Sequence, residues 1–155
     1  MHRAFIAATL TAVIAALTLA AHAEPAGARQ HGSPVAFLTT TVRLLAANRY
    51  AEAWQTLNPI DQDAAPLTSY LACESTTPIP GRLTALRVAR VWNEPIRIAP
   101  ETKAVPSVAV SFVLRLTGAG VTATVPLTAH AVRTTASWTW ILPPTRLAMY
   151  RQNAC

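Results

Sequence analysis

The chain has 155 residues, a formal net charge of +6 at pH 7, and a hydrophobic fraction of 52%. That length suits one domain with an ordinary core, and the apolar content excludes a disordered tail or linker. Two cysteines exclude a disulfide-dense scaffold, and twelve dispersed arginines with a single lysine, Lys103, lack the focused basic face of a nucleic-acid binder.

Met1-His2-Arg3 is a short basic start, Ala4 to Ala21 is an unbroken run of apolar residues and threonines, and Ala21-His22-Ala23 places small residues where a signal peptidase reads. Residues 1–23 are therefore expected to be a signal peptide with Glu24 as the mature N-terminus. A retained anchor is the alternative, since the run approaches the ~20 residues that span a bilayer. Export places the protein in the secreted fraction or the cell envelope, touching membrane only through the leader before cleavage. Residues 24–32 (EPAGARQHG) read as a flexible spacer. Residues 33–155 form the single domain.

Ser33-Pro34 is a helix start, an N-cap serine before a proline in the first turn. Val35, Leu38, Val42 and Leu45 then recur at spacings of three and four, which predicts an amphipathic helix to about Asn48. Tyr50, Trp54 and Leu57 continue on a second helical piece that Asn58-Pro59 closes. Pro66 opens a short helix with Leu67, Tyr70, Leu71 and Cys73 on its inner side.

After Pro78-Ile79-Pro80-Gly81 the period changes to two. Leu83 to Ile98 is strand-like with a break near Asn93-Glu94-Pro95. Val108, Val110, Phe112, Leu114 and Leu116 alternate with small or polar residues, Gly118-Ala119-Gly120 turns, and Val121 to Ala129 alternates again. Trp138 to Leu142 is the last strand, and Thr145 to Gln152 a closing helical turn. Helices followed by an antiparallel meander predict an α+β fold, with the apolar sheet face meeting the helices. The threonine-rich face is then solvated or a homodimer surface.

The leading helix, the segment Tyr50-Ala51-Glu52-Ala53-Trp54-Gln55-Thr56-Leu57-Asn58-Pro59, a short helix ending in a cysteine, and a meander closing on Trp138-x-Trp140-Ile141-Leu142 together resemble the exported bacterial branch of the nuclear transport factor 2-like superfamily. The resemblance spans Ser33 to Cys155. It implies helices closing a strongly curved sheet into a cone around an apolar cavity, with Phe37, Trp54, Tyr70, Trp92, Phe112 and Trp140 facing inward as pocket lining. Plain core packing is the competing reading of those aromatics. It also implies a bridge between the short-helix cysteine and one at the C-terminus. Export by itself makes a Cys73–Cys155 disulfide the default over a reactive thiol or a metal ligand.

Catalytic chemistry is poorly represented. Only His130 among the four histidines falls inside the domain, on the threonine side of its strand and without a carboxylate near it in sequence. Acidic residues are absent from Val108 to Val132, so the acid–base pattern of the superfamily's enzymes is not matched and no catalytic residue is assigned. Glu52, Tyr70 and His130 are the polar groups on which an isomerase, dehydratase or hydrolase would have to draw. Asp61-x-Asp63 lacks the rest of a calcium loop. No metal site or cofactor is expected. The expectation is a non-enzymatic domain that binds a small apolar ligand or a protein partner, with a small enzyme and a dimerising module as alternatives.

Overall fold

A computed structural model describes residues 32–98 and 103–152. The expected leader, all but the last residue of the spacer, and Cys155 lie outside them.

Helix α1, Pro34–Ala46, starts where Ser33 Oγ accepts the Val35 N–H at 3.2 Å. Leu38, Thr41, Val42 and Ala46 form its buried face, the spacing that a helix lying on a sheet requires. Asn48 then takes a left-handed conformation, φ +57°, which asparagine tolerates better than most residues. Helix α2, Tyr50–Trp54, follows at once.

Asn58-Pro59 does more than close that helix. The Asn58 side chain accepts the Ile60 N–H at 3.1 Å and Pro59 occupies the first turn of a further helix, α3, Pro59–Ala64. The dipeptide carries the same cap-plus-proline signal as Ser33-Pro34, so one signal ends one helix and begins the next. Helix α4, Leu67–Thr76, buries Tyr70 and Cys73.

The sheet is an antiparallel meander in the order β1-β2-β3-β4, with β1 Arg82–Ile96, β2 Val105–Gly118, β3 Val121–Arg133 and β4 Trp138–Trp140. The expected break at Asn93-Glu94-Pro95 does not occur. Those residues pair with Val108, Ser107 and Pro106, and Pro95 is tolerated because β1 is an edge strand. The irregularities lie earlier, between Leu83 and Ala85 and between Val88 and Arg90, where an extra residue bends and twists the strand. The last strand is shorter than predicted. Ile141 and Leu142 leave the ladder because the Leu142 N–H is taken by Asp61 Oδ2 at 2.7 Å. Helix α5, Pro144–Arg151, completes the described chain.

The α+β reading stands, as a four-stranded antiparallel sheet and five helices among the described residues. Val110, Phe112 and Leu114 of β2 and Ala131 of β3 pack against Leu38, Val42, Ala53, Leu57 and Tyr70 of the helical layer. Each such fully buried large side chain contributes ~1.5–3 kcal/mol. A smaller cluster on the other face joins Ile98, Val132 and Ile141, with Ile60, Ile96 and Val105 against it.

Two tryptophans lock this end. Trp140 donates its indole N–H to Ala53 O at 2.8 Å, and its backbone N–H reaches Thr56 O at 3.1 Å while its carbonyl accepts the Asn58 N–H at 2.8 Å. The α2–α3 turn thus adds to β4 as a strand stub. Trp54 donates to Ala65 O at 2.9 Å.

Candidate functional site

The apolar faces of β2 and β3 extend further than the helices that cover them. A 13-residue helix such as α1 is about 20 Å long and a 14-residue strand such as β2 about 46 Å, so one helix cannot cover the strand it lies along. Beyond the helical layer, Leu114, Leu116, Val121, Ala123, Val125 and Leu127 line a trough of about 670 Å³ closed on one side by Ile79, Pro80 and Gly81. Val121 is 67% exposed and Val125 38%, although both belong to the alternation that should meet the core. Among the described residues no ionisable side chain lines this trough.

Its closed side is held by local chemistry. Asn48 Oδ1 accepts the Ile79 N–H at 3.0 Å, and Asn48 Nδ2 reaches Ile79 O at 3.4 Å. The left-handed Asn48 therefore ties the incoming Pro78–Gly81 segment to the end of α1. Gly81 sits at φ +83°, where a Cβ would lie 2.7 Å from Thr117 O, and a Cβ on Gly118 would lie 2.7 Å from Gly81 Cα. The two glycines pack backbone against backbone, and only glycine fits that approach.

Next to the trough, and sharing Gly81 with it, is a shallower recess of about 420 Å³ lined by Arg43, Ala46, Ala47, Asn48, Gly81, Arg82 and Leu83. Arg43 comes from the last turn of α1 and Arg82 opens β1. Neither forms an ion pair with a described residue, whereas the nearby Arg49 is bonded to Glu52. The apolar trough therefore runs into a basic mouth.

The six aromatics expected to line a pocket divide differently. Tyr70, Phe112 and Trp140 are in the main core, and Phe37 and Trp54 pack against it. Trp92 is on the other face of the sheet with the Arg90 guanidinium 5.0 Å from its ring centroid. None of them lines the trough. The residues that do are small aliphatics, and their signal in the sequence is an apolar alternation flanking a Gly-Ala-Gly turn.

His130 finds its carboxylate across the sheet. Trp92, Ala109 and His130 oppose one another in successive strands and so share a face, and Glu94 lies one row along. His130 Nε2 is 2.6 Å from Glu94 Oε1. The Trp92 side chain and then His130 hydrogen-bond to the Glu94 carboxyl and hold it below the usual carboxylate range. Glu94 borders a further recess of about 470 Å³ with Pro95, Pro106, Val108 and Trp138, on which His130 does not open. Of the other polar candidates, Glu52 is exposed on α2 and bonded to Arg49, and Tyr70 is in the core with its hydroxyl pKa raised by burial.

Asp61, which sequence reading placed in a turn, is 1% exposed and lines a recess of about 250 Å³ with Ile96, Ile98, Ile141 and Leu147. Its position in the first turn of α3 suits a negative charge. Among the described residues no group of three or more His, Cys, Asp or Glu could hold a metal ion. Cys73 is 2% exposed on α4, and α5 packs beside it: Glu74 pairs with Arg146 at 2.5 Å and accepts from the Tyr150 hydroxyl, and Tyr70 stacks on Tyr150 at 5.7 Å.

No family model matches the chain, and no curated protein matches it. Among solved structures it is similar to the solution structure of a SEC-C motif containing protein from Rhodopseudomonas palustris, at 14% identity over 71% of this chain and 76% of that one, with a TM-score of 0.48. The resemblance to the nuclear transport factor 2-like superfamily is corrected accordingly: no model of any family matches, and the similar solved structure is described by a different motif. The physical reason is that the resemblance rested on element order. Amphipathic helices followed by a meander pack as two layers in many unrelated α+β folds.

Proposed function

We propose that the chain is an exported, non-enzymatic domain that binds a small apolar ligand in the trough at the β2–β3 hairpin. The observation that carries this reading is the trough itself, about 670 Å³ of aliphatic surface within the range of small-molecule sites. A contiguous exposed apolar surface is a costly feature for a monomer to keep unless something covers it. The curved sheet that would wrap a ligand belongs to the same reading and is supported by the two irregularities in β1.

A Cys73–Cys155 bridge and a mature start at Glu24 are the export side of this proposal. Support for the bridge comes from the burial of Cys73, the lack of free cysteine among the described residues, and the packing of α5 on α4. Such a bridge would draw the end of the chain onto the helical layer. Intact-mass measurement of the protein recovered from the cell exterior is expected to give a chain beginning at Glu24 and lighter by two hydrogens than the reduced form. A chain retaining Met1, or one with two titratable thiols, would count against it.

The ligand reading is tested with Nile red, an uncharged fluorescent probe. Saturable uptake by the wild-type chain and its loss in Val125→Glu are expected. Unsaturable fluorescence, or uptake that Val125→Glu leaves intact, sinks the trough as the binding site.

A further inference from the structure

We infer that the ligand of the trough is a single-chain anionic amphiphile, an alkyl carboxylate whose tail lies along β2 and β3 and whose head group meets Arg43 and Arg82. This rests on the trough being the binding site and adds to it the chemical class of ligand. Three observations support it together.

The first is continuity. Gly81 lines both the aliphatic trough and the recess holding the two arginines, so one elongated molecule passes from one to the other without crossing a wall. A glycine at that point keeps the passage open, and the close backbone approach of Gly118 leaves no side chain there.

The second is charge. Arg43 and Arg82 come from different elements, are exposed, and form no ion pair with a described residue. Two guanidiniums at one mouth repel each other, and an arriving carboxylate relieves that repulsion with bidentate hydrogen bonds. The competing acids are elsewhere: Glu52 is taken by Arg49, and from Thr102 to Cys155 the chain has no Asp or Glu at all. The field over the trough and its mouth is therefore positive, which draws in an anion and rejects a cation.

The third is shape. An open, elongated channel between two strands suits a flexible alkyl chain better than a rigid ring system, and its lining is aliphatic with no aromatic side chain for a flat ligand to stack on. Each methylene that enters adds a constant increment, so affinity rises about fourfold per carbon.

Isothermal titration of the mature chain with monomeric octanoate, decanoate, 1-decanol and decyltrimethylammonium tests this directly. Decanoate is expected to bind at one site, about fifteenfold tighter than octanoate and about tenfold tighter than decanol, as one charge-assisted contact provides. The cationic amphiphile is expected to bind weakest. In Arg43→Gln/Arg82→Gln decanoate should fall to the level of decanol while decanol is unchanged. Added salt should weaken decanoate and leave decanol alone in the wild-type chain, a readout that needs no variant.

Decanoate no tighter than decanol, or decanoate binding that the double variant and salt both leave intact, overturns the anionic head group while the apolar trough survives. Failure of every amphiphile, decanol included, overturns the trough as well. Co-sedimentation with anionic phospholipid vesicles, without binding of monomeric decanoate, would make this a membrane-docking face and overturn the proposal.

Discussion

At the β4 end of the sheet polar and apolar groups are matched closely, whereas at the β2–β3 hairpin the same apolar alternation continues with nothing above it. Trp140 shows the first condition: its ring is in the core, its indole N–H and both backbone groups have partners, and Asn58 and Asp61 complete the backbone around it. Val121 and Val125 show the second, aliphatic and in register yet exposed. The contrast teaches that one pattern of residues serves two purposes. Where helices reach, alternation makes a core; where they stop, it makes a surface that a ligand can cover.

The strongest way to break that contrast is at the packed end. Trp140→Ala removes the ring and leaves Ala53 O without its donor, and is expected to cost about 4 kcal/mol. That is much of the ~5–15 kcal/mol that holds a small domain. Urea denaturation checks it, and a midpoint within error of wild type would show that Trp140 is not an anchor.

Alkaline pH should act next, and at the same end. Burial is the first cause raising the hydroxyl pKa values of both Tyr70 and Tyr150 above the ordinary 10.0, with Glu74 adding to each. The folded chain therefore keeps two protons that the unfolded chain releases. Stability from these groups is whole below about pH 10 and falls above it, by up to about 1.4 kcal/mol per pH unit for each tyrosine. Absorbance of ionised tyrosine should stay low until the chain unfolds; ionisation of both in the folded state near pH 10 would contradict this.

Gly81→Ala probes the seam between the two regions. The left-handed backbone and the clash with Thr117 O predict a loss of about 1–3 kcal/mol. It should be accompanied by weaker Nile red uptake, because Gly81 is where trough and mouth join. A stable Gly81→Ala chain with unchanged uptake would mean that the seam does not shape the site.

The smallest effect on stability belongs to the open end. Val125→Ser is expected to change stability by less than about 0.5 kcal/mol while it reduces probe uptake severalfold. A large loss of stability would show instead that Val125 is part of the core.

Much of the fold was legible because it is written in short-range signals. Ser33-Pro34, the period-two strands and Gly118-Ala119-Gly120 each place an element from a handful of neighbours. Asn58-Pro59 was only half legible, since a helix stop and a helix start look alike when the next helix has only six residues. Asp61 was read as a turn residue because its burial depends on Leu142, 81 positions away. His130 gained Glu94 in the same way, over a separation of 36. Pairing at such distances depends on strand register, which local sequence does not encode.

The sequence alone determined which residues alternate, where the chain turns, and that acidic groups are absent from its second half. It also marked the hairpin strands as apolar along their whole length. Only the tertiary structure decided how far the helices reach over those strands, and so which aliphatic residues became core and which became trough. The reason lies in dimensions: a helix advances about 1.5 Å per residue and a strand about 3.3 Å. A short helical layer over a long hairpin therefore leaves apolar sheet uncovered at the hairpin tip, at the place where two arginines from distant parts of the chain meet.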